Sequence, residues 1–334
     1  MPIKKNEADD HKRASSALKN DQFLALRISM SKFVSNGSKM QKMNNPENKE
    51  NSTPLIILFH GLSSSPLEFN FLSAQLTAAG YRVSAPEIPG YTFGGNASSW
   101  KTWLKTAVDY VKKAQETESQ PVCLGGISLG STLALAVASE LNDILGVIAL
   151  STTLKYNGWA IPWYRALIPL GMLVGLGDRF KYRERDPFGI KNAQIRAYIK
   201  RILSSQDISA VGGLYMSLRH MHEGNKLCRY VINHLPAVSS SILTIHAIDD
   251  EIANTYNAEL VKELSSSPFL RQIYLGNSYH MITVDNERET VAAEACSFLD
   301  LIYGKIQPDP TQDKILSPEL QRFIRNLDRG SEAG

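Results

Sequence analysis

The stretch PVCLGGISLG, Pro121 to Gly130, passes from an apolar run into a serine held between glycines. Val122 to Leu124 reads as a strand covered on both faces, as strands of a parallel sheet are. The small residues that follow, GSTLALAVASEL at 130–141, have helical spacing. A serine at such a junction, with Gly126 and Gly130 on either side, fits G-x-S-x-G. In that motif the serine adopts a strained backbone that exposes its hydroxyl, and the glycines let neighbouring backbone pass close. The helix N-terminus beneath it favours developing negative charge. Ser128 is therefore the candidate nucleophile. Leu129, just after it, supplies one candidate N–H for an oxyanion.

Outward from this junction the chain alternates. PLIILFH (54–60), YRVSAPE (81–87), ILGVIALS (144–151), SSILTIHAI (240–248) and LRQIYLG (270–276) read as strands. PLEFNFLSAQLTAAG (66–80), SSWKTWLKTAVDYVKKAQ (98–115), NTYNAELVKEL (254–264) and NERETVAAEACSFLDLIYG (286–304) read as helices, the second capped by Ser98 or Ser99. This alternation predicts an α/β fold, a doubly wound and mostly parallel sheet. The rhythm stops between 155 and 237, which reads as helical or irregular with no clear strand. The expected organisation is a polar extension at 1–52, a core at 53–154 and 238–304, a helical insertion at 155–237, and a tail at 305–334. DQFLALRISMSKF in the extension suits a short helix or an outer strand, and a short helix is expected from Ser317.

The 334 residues are 43% hydrophobic and 21% charged, enough apolar material for a sizeable core. A net charge of +3 is too small to imply a nucleic-acid partner. Three widely spaced cysteines, Cys123, Cys228 and Cys296, suggest neither a disulfide framework nor a zinc site and fit a reducing, cytoplasmic setting. The N-terminus has no apolar core of a secretory signal. Residues 159–177 approach the length of a membrane span, but Arg165, Pro162, Pro169 and several glycines interrupt them. A buried or interfacial segment, open to transient contact with a lipid surface, is expected there.

A serine hydroxyl needs a base, and the base an orienting acid. Of seven histidines, only His280 combines a loop position with the C-terminal end of a sheet strand, where doubly wound folds place their sites. The acid should lie between serine and histidine in the chain. Asp249, Asp250 and Glu251 stand there together, directly after a strand. His220 and His222 in RHMHEG have no convergent Cys or acidic ligands, so no metal is expected.

Four motifs, LFHGLSSSPLEFNFLSAQLTAAGYRV, GGISLG, IHAIDDEIAN and NSYHMITVD, together resemble α/β-hydrolases of the bacterial carboxylesterase and monoacylglycerol-lipase type. The resemblance runs from about 54 to 303, excluding most of the insertion. It implies Asp250 as the acid, although Ala247 and Ala253 replace the family's usual glycine and valine. Ser278, His280, Ile282, Thr283 and Asp285 match the run around the family histidine. The resemblance also implies Leu62 as the second oxyanion N–H, shaped by His60 and Gly61, which are expected to border the substrate pocket as well. It further implies an insertion that roofs an acyl pocket with Trp159, Trp163, Met172 and Leu173. The expected chemistry is cleavage of small acyl esters without a cofactor. The alternatives are a thioesterase, an acyltransferase, or a non-catalytic ligand-binding member of the fold.

Overall fold

A computed structural model describes residues 53–118, 121–205, 208–209 and 212–304. The elements expected at DQFLALRISMSKF and from Ser317 lie outside these residues. The chain runs β1 (Leu55–Phe59), α1 (Asn70–Ala78), β2 (Arg82–Ser84), α2 (Trp100–Thr117), β3 (Val122–Ile127), α3 (Leu129–Glu140) and β4 (Ile144–Leu150). There follow α4 (Ile168–Leu173), β5 (Lys181–Arg183), α5 (Ala193–Ser205), β6 (Ile208–Ser209), β7 (Gly212–Gly213), β8 (Tyr215–Ser217) and α6 (Leu218–His234). The chain then completes β9 (Ser241–Ala247), α7 (Tyr256–Leu264), β10 (Leu270–Leu275) and α8 (Arg288–Ile302).

Six strands form one sheet in the order β10-β9-β4-β3-β1-β2, every pair parallel. The winding reverses between β1 and β3, so the loops leaving their C-terminal ends diverge and open a crevice there. Successive residues of β1 face opposite layers. Ile57 and Phe59 pack with Trp103, Leu133 and Val231, whereas Ile56 and Leu58 pack with Phe69, Leu72 and Phe298. Burial on both faces is why these strands are unbroken apolar runs.

The stretch 155–237 differs from its expected helical or irregular character. β5 pairs with β8 and β6 with β7, both antiparallel. Strands of two or three residues are too short to show an alternating pattern. α6 also lies within this stretch, yet its Leu227, Cys228 and Val231 belong to the same buried cluster as Leu133 and Ala134 of α3. It is a layer of the core. No helix of the described residues is long and apolar enough to cross a membrane.

The glycines around Ser128 are required by backbone contacts. A Cβ on Gly126 would stand 2.4 Å from the Gly130 carbonyl. One on Gly130 would stand 2.0 Å from the Phe59 carbonyl oxygen and 2.3 Å from that of His60. Both obstacles are main chain, the first turn of α3 for Gly126 and the end of β1 for Gly130, and neither can step aside. Gly130→Ala is expected to destabilise the protein by about 3 kcal/mol or to prevent folding, as severe overpacking does. Thermal denaturation reads this directly, and a melting temperature within 2 °C or so of the parent would refute it.

Candidate active site

Ser128 has φ 58° and ψ −126°, the strained turn its motif predicts. Its N–H donates to the Leu150 carbonyl at 2.9 Å, tying the turn to the end of β4. Its Oγ lies 2.8 Å from His280 Nε2 and 3.3 Å from Thr153 Oγ1.

His280 sits in the loop after β10. Its backbone N–H donates to Glu251 Oε2 at 3.1 Å, and its carbonyl accepts from Ser151 Oγ at 2.7 Å. Asp285 braces the same loop by accepting the N–H groups of Tyr279, Lys191 and Asn192 at 2.9, 2.7 and 3.0 Å. The ring's Nδ1 lies 2.7 Å from Asp250 Oδ2 and 2.9 Å from Oδ1. With Nδ1–H donated to Asp250, the neutral ring presents Nε2 as an acceptor to the Ser128 hydroxyl.

Asp250 is 1% exposed. Its Oδ1 accepts the N–H groups of Ile252 and Ala253 at 2.9 and 2.8 Å. Behind it, His246 Nε2 lies 2.6 Å from the Ala253 carbonyl and 3.4 Å from Asp250 Oδ2. Burial pushes the Asp250 carboxyl's pKa up, but the His280 charge and bonds from both histidines more than reverse this and hold it low. Burial likewise lowers the pKa of His280, and the Asp250 carboxylate outweighs it, leaving the imidazole above its ordinary value.

The three acids after β9 take three roles. Asp250 meets His280, Glu251 holds the His280 backbone, and Asp249 points outward to Lys191 Nζ at 2.7 Å. Burial raises the carboxyl of Glu251 to about 7. It does the same for Glu68 and Glu184, which line the same cavity.

On the other side of Ser128, the Gly61 N–H donates to Glu68 Oε2 at 2.7 Å and the Ser63 N–H to the Tyr91 carbonyl at 2.9 Å. The Leu62 amide lies between these two engaged neighbours. Leu129 opens α3, where the first N–H groups have no acceptor inside a helix. Leu62, Ser128 and Leu129 line one cavity. His60 stands behind the loop, with Nδ1 2.8 Å from the Gly61 carbonyl oxygen and Nε2 3.0 Å from Thr92 Oγ1. Burial lowers its pKa to about 4, so the ring is neutral.

The cavity has a volume of about 670 Å³. Gly61 lines it, together with Ile161, Leu167, Leu170 and Val174 from the insertion. Five other expected pocket residues do not line it, among them His60, which stands behind its loop. Trp159, Trp163 and Leu173 are 63%, 82% and 83% exposed, and Met172 packs against Ile168, Leu218 and Met221. Helical spacing explains the difference. Leu167, Leu170, Gly171 and Val174 share one face, which meets the cavity, and Met172 and Leu173 fall on the others.

The sequence reading passes over Ser151-Thr152-Thr153, all fully buried at the end of β4. Ser151 holds the His280 carbonyl, Thr152 Oγ1 meets Ser131 Oγ at 2.7 Å, and Thr153 stands beside Ser128. Three hydroxyls directly after a buried strand, at the sheet edge that bears the serine, are the signal that could have revealed them.

A sheet wound in this way, with its serine turned out at the corner after the central strand, is that of the esterase- and lipase-like α/β-hydrolases. The chain belongs to the family described as serine aminopeptidase, S33, whose model matches residues 50–288. It is 24% identical over 256 residues to a thermostable monoacylglycerol lipase of Bacillus sp. (strain H-257), covering 75% of this chain and 91% of that one. It is 18% identical over 248 residues to a carboxylesterase of Bacillus subtilis (strain 168), covering 73% and 92%. Among solved structures, the Paleococcus ferrophilus monoacylglycerol lipase aligns with a TM-score of 0.62 at 18% identity, over 74% of this chain and 95% of that one. A soluble variant of the Saccharomyces cerevisiae monoglyceride lipase aligns with a TM-score of 0.61 at 18% identity, over 75% and 86%.

Proposed function

We propose that the protein hydrolyses carboxylic esters through an acyl-enzyme formed on Ser128. The observation that carries this reading is the continuous path from Asp250 through His280 to Ser128 Oγ, at 2.7 and 2.8 Å, beside an apolar cavity. Ser128 Oγ attacks the acyl carbonyl while His280 Nε2 takes its proton. Asp250 orients the ring and stabilises the imidazolium. The N–H groups of Leu62 and Leu129 meet the oxyanion, each such donor contributing about 3–4 kcal/mol in known cases. His280 returns the proton to the departing alkoxide. It then draws a proton from water, whose oxygen attacks the acyl carbon, and passes that proton to Ser128 Oγ as the bond from that oxygen to the acyl carbon breaks and the acid is released. The relatives named as lipases and esterases support an acyl substrate, monoacylglycerol-like in its apolar part. A panel of p-nitrophenyl esters, with fluorophosphonate labelling at Ser128, tests the reading. A chain that neither labels nor turns over any ester refutes it.

The same reading makes the segment between β4 and α6 a cap that selects acyl length. Each buried methylene contributes about 0.8 kcal/mol, so kcat/KM should rise about fourfold per methylene until the cavity ends. Leu170→Trp and Val174→Trp are expected to shorten the preferred chain by at least two carbons and spare acetate esters. Leu173→Trp should leave the profile unchanged. If all three behave alike, these residues do not wall the acyl site.

Trp163 and Leu173, beside the cavity's mouth-lining Leu170 and Val174, suit transient contact with a lipid surface. Trp163→Ser with Leu173→Ser should reduce co-sedimentation with phosphatidylcholine vesicles, and equal sedimentation would remove this role. Cys123 and Cys228 are buried thiols, a use of cysteine that supports a cytoplasmic setting.

A further inference from the structure

Glu68 is a buried carboxylate that the steps above leave unused. It belongs to the 3-10 turn Pro66–Phe69, is 2% exposed, and reaches back to the loop after β1. Its Oε2 accepts the Gly61 N–H at 2.7 Å. Its Oε1 lies 3.3 Å from where a Cβ on Gly61 would stand, so the carboxylate fills the space beside that glycine. A buried carboxylate is expensive to desolvate, and this one meets a backbone amide where a Lys or Arg would compensate it better.

What the contact accomplishes follows from the planarity of the peptide bond. The Gly61 carbonyl and the Leu62 N–H belong to one rigid plane and point in opposite directions. Whatever sets the orientation of Gly61 therefore aims the Leu62 N–H. Glycine, the residue with the widest backbone freedom, would let that plane swing. The loop is held at every neighbouring position instead. Glu68 takes the Gly61 N–H, and His60 Nδ1 stands 2.8 Å from the Gly61 oxygen. The Tyr91 hydroxyl donates to the His60 carbonyl at 2.8 Å, and the Ser63 N–H donates to the Tyr91 carbonyl at 2.9 Å. Of these four holds, Glu68 and Tyr91 act on the peptide plane on the N-terminal side of Gly61, Tyr91 on its carbonyl and Glu68 on the Gly61 N–H itself.

We propose that Glu68 is a positioning residue of the oxyanion hole, fixing the Leu62 N–H toward Ser128 by its grip on the Gly61 amide. The proposal rests on the ester-hydrolase reading. Glu68→Ala removes the grip, Glu68→Asp shortens its reach by one methylene, and Glu68→Gln keeps an oxygen that can accept the same N–H. Each is compared with the parent for kcat and KM on a p-nitrophenyl ester. Affinity is measured for an alkylboronic acid, whose adduct with Ser128 places a negative oxygen in the hole, and for a chain-matched alkanol, which forms no oxyanion.

Glu68→Ala and Glu68→Asp are expected to lose about 10- to 100-fold in kcat, because a misaimed donor forfeits part of what its deletion would. KM should stay within about twofold, boronic acid affinity should fall by a similar factor to kcat, and alkanol affinity should hold. Glu68→Gln should recover activity to within several-fold of the parent. Should Glu68→Ala not fold, the Asp and Gln pair carries the same contrast. The proposal is overturned by undiminished kcat in the Asp variant, by unchanged boronic acid affinity, or by a Gln variant as impaired as Asp. A parent protein that fails to label with fluorophosphonate overturns the ester-hydrolase reading itself. A parent that labels, beside variants that label equally fast, overturns the role of Glu68 alone.

Discussion

Ser128→Ala is expected to lower ester turnover by about a millionfold, the loss seen when the nucleophile of such a unit is removed. Whatever remains would come from the oxyanion donors and substrate binding. The fold should survive, because the side chain's own bonds are confined to His280 and Thr153. The positive φ at this position is already borne by a residue with a Cβ, so alanine adds no strain there. Turnover of p-nitrophenyl acetate, fluorophosphonate labelling and a thermal melt check the result together. Retention of more than a few per cent of activity in a folded variant would exclude Ser128 as the nucleophile.

Asp250→Asn is expected to cost about 10⁴ in turnover. The substituted amide can turn a donor toward His280 Nδ1. The ring then carries its proton on Nε2 and cannot accept one from Ser128. The pH profile should change as well. His280 works as a base only when neutral, so activity falls as pH falls through its pKa. That pKa stands above 6.5 because the Asp250 charge outweighs burial. Without that charge the pKa falls, with Glu251 and Glu68 still raising it against burial, and the acid limb of the remaining activity should move to lower pH. Asp249→Asn offers the contrast. Its ion pair with Lys191 is about half exposed on the Asp side, and such pairs contribute about 0–1 kcal/mol. Turnover should stay within about twofold. If the two variants rank the other way, Asp249 is the orienting acid.

Much of this molecule is legible before any coordinates. Buried strands such as ILGVIAL announce themselves by apolar composition alone, and the motif around Ser128 needs only its place between strand and helix. Where the reading stops, a three-dimensional cause can be named. Asp249, Asp250 and Glu251 are equivalent on paper, and only the turn after β9 decides which side chain faces inward. The apolar density of 159–177 marks a segment beside the cavity, but α4 has six residues and its packing on α6 chooses which of them face it. Trp163 and Leu173 have the same kinds of side chain as their neighbours and are exposed instead. Glu68 has no local signal at all. An acid in PLEF reads as a solvated helix residue, and its burial depends on a loop seven residues back.

The residues proposed to react and most of the apolar residues that wall the cavity come from different lengths of chain. Ser128, Asp250 and His280 hang from the ends of sheet strands, whereas Ile161, Leu167, Leu170 and Val174 belong to a single excursion between β4 and α6. Such a division lets descent act on the two separately. On the proposed function, mutations, deletions or exchanges in the excursion would reshape what is admitted and leave the distances among Ser128, Asp250 and His280 untouched. A lineage built on this plan can change its diet without relearning its chemistry.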